Sequence, residues 1–171
     1  MATPVLPVTL LVFRLEDRRF AVLASLVREA VRVVAVTPLP RAPAIVEGVI
    51  NIRGVLVPVL DIRQRFGMRP AALSLDQHLL IAWAGARLVA LRVDGAEALV
   101  EVEADAIEPA TRVAPGAELV AGLAKLADGV LVIHDLERFL SLGEAEAVDA
   151  AVAGAAGAAA LAGSARGGAP T

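Results

Sequence analysis

Residues Gly48 to Gly67, GVINIRGVLVPVLDIRQRFG, constrain the fold of this chain more than any other stretch. Val49–Arg53 and Val55–Leu60 read as two apolar strands around Arg53-Gly54, where glycine supplies the unusual backbone angles a two-residue hairpin turn demands. Asp61 is placed to cap a helical turn over Ile62–Phe66, and Gly67 to end it. The segment carries no nucleophile, metal cluster or phosphate loop. So much shape with so little chemistry points to a protein that works by offering a surface.

The same plan returns downstream. GLAKLADGVLVIHDLERFL, residues 122–140, lies over residues 48–66 without a gap, with Asp135 over Asp61, and Asp128-Gly129 reads as the turn that Arg53-Gly54 makes in the first copy. The hairpin signals Leu10–Leu15/Phe20–Leu23 and Leu79–Trp83/Leu88–Val93 form a second matching pair, read with Arg19 over Arg87. Identities are few, so what repeats is a pattern. Between these blocks, Ser25–Val27 reads as a helical turn leading into a strand that reaches Val36. Pro38, Pro40 and Pro43 stiffen a loop, and Ala44–Glu47 suits a single helical turn. Residues 68–77 read as a linker, Glu97–Val102 as a strand, Asp105–Pro109 as a turn and Pro115-Gly116 as a break.

The expectation is an all-β body with short helices over residues 10–142, in two pseudo-repeat lobes of about 10–67 and 78–142. Each lobe would have about five strands and close into a small barrel, which removes exposed sheet edges. Residues 1–9 form a lead-in. Residues 143–171, nearly all Ala and Gly, are expected to be a disordered tail, because they offer too little apolar surface to offset ordering.

Composition excludes several classes. The chain is 57% hydrophobic but only 3% aromatic, so Val, Leu, Ile and Ala must build the core. A net charge of −3 argues against binding the nucleic-acid backbone. The absence of cysteine excludes disulfides and thiolate sites. No signal peptide is expected at the N-terminus, and no window is expected to supply a membrane span. His78 and His134 lie far apart with no third group to mark a triad. His134, inside an apolar strand, reads as a packed structural histidine.

The candidate site residues cluster around the first hairpin. Arg53 at the turn either faces water, pairs with an internal carboxylate, or reaches one on a partner, for which its planar fork is suited. Glu29, in the otherwise apolar LVREAV, is the plausible mate. Asn51 suits a local bond to the turn backbone more than ligand contact. Pro58 cannot donate to a ladder, which favours an edge or irregular strand. Val55, Val57 and Val59 are either core or lining of a groove.

Taken in order, LVFRLEDRRFAV, LVREAV, PxxPxxxxGVINIRGVLVPVLDIRQRFG, LRVDGAEALV and GLAKLADGVLVIHDLERFL resemble the CheW-like domain of bacterial chemotaxis coupling proteins over roughly residues 10–142. The resemblance implies two interlocked, five-stranded, SH3-like β-barrel lobes. It implies a non-enzymatic adaptor without cofactor or metal, in the cytoplasm, recruited to membrane-associated receptor arrays without inserting in the bilayer. Such an adaptor links the cytoplasmic tips of methyl-accepting chemoreceptors to the regulatory domain of the histidine kinase CheA. By position, Val27, Glu29, Asn51 and Arg53 fall in the receptor-binding region, and Val55, Val57 and Pro58 in a partner-facing surface or groove. A paralogous coupler for pilus motility or another chemosensory pathway is the alternative, and a small-barrel ligand-binding module a third. Ala30-Val31 and Ala124–Ala127 depart from the family's usual residues, and the Ala/Gly tail lies outside its pattern.

Overall fold

The computed structural model describes residues 5–110 and 119–165. The Pro115-Gly116 break lies outside the described residues. Eleven strands run in chain order among the described residues: β1 (Pro7–Leu15), β2 (Arg18–Leu23), β3 (Val27–Arg32), β4 (Val46–Ile52), β5 (Val55–Leu60), β6 (His78–Ala84), β7 (Arg87–Val93), β8 (Gly95–Glu103), β9 (Ile107–Pro109), β10 (Val120–Leu126) and β11 (Gly129–His134). One helix, α1 (Leu142–Ala165), follows. Short 3-10 turns lie at Ala24–Leu26, Ile62–Phe66, Ala104–Ala106 and Leu136–Phe139.

The strands form two sheets, ordered β8-β1-β2-β11-β10-β9 and β3-β6-β7-β5-β4. Each sheet draws on both halves of the sequence. The β1–β2 hairpin pairs in parallel with β11 at Ala21 and Ile133, and β7 pairs in parallel with β5 at Ala90 and Val59. The lobes are therefore interlocked, and neither is a continuous segment. Thr37 bridges to Val49, adding an outer contact beyond β4 as β9 does beyond β10.

The duplication holds at the level of register. In β4–β5, Val46 faces Leu60, the ladder slips, and Gly48 faces Val59. In β10–β11, Val120 faces His134, the ladder slips, and Gly122 faces Ile133. The other hairpin pair is one residue out from the sequence expectation. Leu15 pairs with Arg18 and Ala84 with Arg87, so Arg18, not Arg19, lies over Arg87. Such a slip matters because it moves every side chain to the opposite face.

Several expectations are corrected. The lead-in is already strand from Pro7, paired to the end of β8. The strand after Leu26 ends at Arg32, and Val46-Glu47 belong to β4, not to a helical turn. Ile107–Pro109 is a sixth strand of the first sheet rather than a turn. The tail, read as disordered, forms α1 over its described part. Ser141 and Glu144 make a capping box: the Glu144 amide donates to Ser141 Oγ (3.3 Å) and the Ser141 amide to Glu144 Oε2 (2.8 Å). Val148 is fully buried in the core, Arg65 pairs with Glu144, and Arg87 with Asp149. Ala carries the highest helix propensity, so these anchors suffice to extend the helix. Gly143–Ala162 is also long and apolar enough in composition to cross a membrane, contrary to expectation. Here Glu144 and Asp149 tie its first turns to the protein body instead.

Three apolar clusters make the core. One, with Leu10, Val12, Ala21, Leu131 and Ile133, fills the first sheet. Another, with Val33, Ile50, Val57, Val59 and Ile81, fills the second. Between the sheets, Phe13, Leu15, Phe20, Leu80, Leu91, Ile62 and Phe139 form the largest. Strands β1, β6 and β7 face two of these clusters each, which explains continuous apolar runs such as Leu79–Ala82.

Two fully buried arginines cross-link this junction. Arg63 donates to Asp61 (3.3 Å) and to Asp94. Arg92 donates to Glu47 (2.7 Å), Asp61 (3.2 Å), Gln77 (2.9 Å) and the Ala71 carbonyl (2.8 Å). Burial pushes the Asp94 carboxyl up, but the Glu16 amide, Gln77 and Arg63 outweigh it and hold Asp94 below the usual carboxylate range. Asp61 thus serves twice, because it also accepts the Arg63 amide (3.1 Å) as the expected cap.

Candidate functional site

The first hairpin builds its turn from two residues with positive φ, Arg53 at 49° and Gly54 at 86°. Glycine meets this freely; an arginine in the left-handed region is uncommon and is held there by its surroundings. Asn51 Oδ1 accepts the Gly54 amide at 2.8 Å, which is the local role its side chain suggested. The turn directs Arg53 across to β3, where Nη1 donates to Glu29 Oε1 at 3.4 Å. The pair inferred from sequence is therefore formed. Arg53 remains 71% exposed, so most of its donors face outward and stay open to a partner.

Of the seven expected residues, Asn51, Arg53 and Glu29 meet through the turn and its ion pair, and Val55 and Pro58 line a neighbouring groove. Val27 is partly buried against the central core, beside Glu29 on β3. Val55 is 50% exposed at the start of β5. Pro58 is buried but lines a groove of about 610 Å³ between β5, the β6–β7 turn and α1. Val57 does not belong to this surface. It is fully buried in the core of the second sheet with Val33, Ile50 and Ile81, on the face opposite to Leu56 and Pro58, while Val55 on its own face is exposed at the strand's first residue.

Pro58 also departs from the edge-strand expectation, since β5 lies between β4 and β7. Its partner Val49 exchanges hydrogen bonds with Thr37, away from β5. The nitrogen of Pro58 correspondingly points away from β4, and pairing with β7 begins only at Val59. Proline therefore removes no ladder bond at this position.

Arg28, Trp83 and Arg87 also line the groove and were not among the expected site residues. Trp83, the chain's one tryptophan, is 43% exposed near the end of β6. A large aromatic left this open on an otherwise buried strand is a typical anchor for a partner. Arg87 is engaged by α1, and its hydrogen bond with Asp149 draws the Asp149 carboxyl below its ordinary value.

His134 packs against Phe20, Phe66 and Phe139, with ring centroids 4.9–6.1 Å apart. Burial lowers its pKa to about 4, which keeps it neutral. This is the structural histidine expected from sequence. Among the described residues no cluster of three metal-ligating side chains occurs. The site is an apolar groove with Arg28 in its lining, and Arg28 in turn lies 3.9 Å from the Glu29 carboxylate that Arg53 holds, an arrangement suited to holding a protein surface.

The comparisons with known proteins agree with this fold. The CheW-like domain family matches residues 9–144. Chemotaxis protein CheW of Rhizobium meliloti (strain 1021) is 34% identical over 139 residues, covering 81% of this chain and 85% of the relative. Chemotaxis protein CheW of Klebsiella aerogenes is 30% identical over 141 residues, covering 81% and 85%. Protein FrzA of Myxococcus xanthus is 32% identical over 82 residues, covering 48% of this chain and 51% of that protein. The crystal structure of scaffolding protein TtCheW from Thermoanaerobacter tengcongensis superposes with a TM-score of 0.73 at 28% identity, covering 81% of this chain and 96% of that one. The interlocked sheets are thus the two SH3-like lobes of that fold. The chain belongs to the CheW-like domain family of chemotaxis scaffolds.

Proposed function

We propose that this chain couples a methyl-accepting chemoreceptor tip to the regulatory domain of a CheA-type histidine kinase, and that the receptor is held at the Glu29–Arg53 surface. The observation that carries the reading is the pairing of Arg53 with Glu29 across the second sheet beside an apolar groove. Val27, Asn51, Val55 and Pro58 shape that surface. Asn51 fixes the turn, Val55 and Pro58 give it apolar area, and the outward donors of Arg53 meet a receptor carboxylate. The protein acts by geometry and not by chemistry of its own, in the cytoplasm, at arrays assembled on the membrane.

Binding of the purified chain to a receptor cytoplasmic fragment and to the kinase regulatory domain tests this directly. Arg53→Ala is expected to weaken receptor binding about tenfold or more while leaving kinase binding within about twofold. Unchanged receptor affinity in the folded variant refutes the assignment. The partial likeness to Protein FrzA supports a second reading, a paralogous coupler serving another chemosensory pathway. That reading uses the same surface with a different receptor.

A further inference from the structure

The seating of α1 on the second sheet shows what a groove of this fold accepts. Arg87, the first residue after the β6–β7 turn, donates from Nε to Asp149 (2.7 Å) and from Nη2 to the Ala145 carbonyl (3.3 Å). Leu56 and Pro58 of β5 form the apolar wall, and Val152, Ala153 and Ala156 of α1 face it.

The two registers carry these positions onto the first sheet. Leu15–Arg18 matches Ala84–Arg87, which puts Arg18 at the place of Arg87. Leu126–Gly129 matches Ile52–Val55, which puts Val130 at the place of Leu56 and Val132 at that of Pro58. Arg18, Val130 and Val132 line a groove of about 540 Å³ floored by Phe20, Phe66 and His134. Both sheets therefore carry the same groove, and only in the second does a helix of the chain itself form one wall of it.

The difference lies in the chain that follows each second hairpin. After β11 it passes through Ser141 into α1, which lies on the second sheet. After β5 it reverses at Gly67, left-handed at φ 66°, and runs toward Arg92, which takes the Ala71 and Ala72 carbonyls. No described segment occupies the first sheet's groove. Val130 is 63% exposed. Of the neighbouring charges, Arg19 is taken by Glu97 (3.4 Å) and Asp128 (3.5 Å), and Asp17 lies at the turn. Arg18 makes no ion pair or side-chain hydrogen bond among the described residues, although Arg87 at the equivalent place holds a carboxylate.

We propose that the groove beside Arg18 docks an α-helix of a partner protein that lays small residues on Val130 and Val132 and presents a carboxylate to Arg18. The requirement copies what α1 supplies to Leu56, Pro58 and Arg87. The site lies on the other sheet from Glu29 and Arg53, so the chain holds this helix and a partner at the first hairpin together.

The test uses the full chain, isotope-labelled, titrated with a capped peptide of residues 141–160 as the helix probe. Amide shifts are expected at Arg18, Val130 and Val132. Arg18→Glu should weaken peptide binding about tenfold or more, and a peptide carrying Asp149→Lys should restore it. Shifts confined to Trp83, Arg87 and Leu88 would mean that the probe only exchanges with α1, and would overturn the proposal. So would the absence of shifts at millimolar peptide, or full affinity in Arg18→Glu. Concentration-dependent shifts at Arg18 without peptide would assign the groove to a second copy of the chain and equally overturn it.

Discussion

Gly48 and Gly122 stand at the same point of two hairpins, each just past a slip in the ladder and each pressed against a carbonyl of the segment beside it. A Cβ on Gly48 would meet the Thr37 oxygen at 2.2 Å, and one on Gly122 the Glu108 oxygen at 2.9 Å. Both contacts are with backbone, which cannot swing aside. Gly48→Ala is expected to cost about 3 kcal/mol, and Gly122→Ala about 1–2 kcal/mol. Urea unfolding of the two variants checks the order.

That relationship was legible early, because GVINIRG and GLAKLADG align without a gap. Asp61 and Gly67 were legible for the same reason: capping and reversal are local chemistry. The Glu29–Arg53 pair was legible because each is a charge inside an apolar stretch. Other features depend on contacts the sequence does not announce. Arg18 and Arg19 adjoin, so either suits the place over Arg87, and only strand register decides. Nothing local in the sequence marks Arg63 and Arg92 as buried; their burial rests on Asp61, Asp94 and Glu47, which come from separate strands and turns. α1 is hidden by its Ala/Gly composition: its start rests on the Ser141–Glu144 capping box, and the Arg87–Asp149 clasp that seats it spans 62 positions. The exchange of hairpins between sheets leaves no mark in element order.

Valines on one face of β5 should part company on mutation. Val57→Ala is expected to lose about 2 kcal/mol, whereas Val55→Ala should stay within about 0.5 kcal/mol and act on partner binding instead. Paired denaturation and binding measurements distinguish the two.

The buried arginine junction should tolerate no half-measure. Arg63→Ala leaves Asp61 and Asp94 facing each other without their shared cation and is expected to cost about 3–5 kcal/mol. Its deficit should shrink as pH falls below the ordinary carboxylate value and Asp94, held below that value in the wild type, takes up its proton, a trend visible in urea midpoints from about pH 5 to about pH 3.

His134 gives the fold a pH dependence of known sign. Its folded pKa of about 4 lies below the ordinary 6.5, so between those values the unfolded chain binds the extra proton. Stability from this group is complete above pH 6.5 and declines toward pH 4, by roughly 3 kcal/mol in total. His134→Leu, which installs the residue type found at the equivalent Leu60, should flatten that part of the profile. A slope unchanged by the substitution would assign it to other groups.

We propose above that this chain joins receptor to kinase. Co-sedimentation of a CheA-type regulatory domain with receptor-bearing membranes, with and without the chain, tests it most directly. The domain should sediment strongly only when the chain is present, and Arg53→Ala should abolish most of that gain while still binding the domain in solution. Equal sedimentation with and without the wild-type chain would contradict the claim.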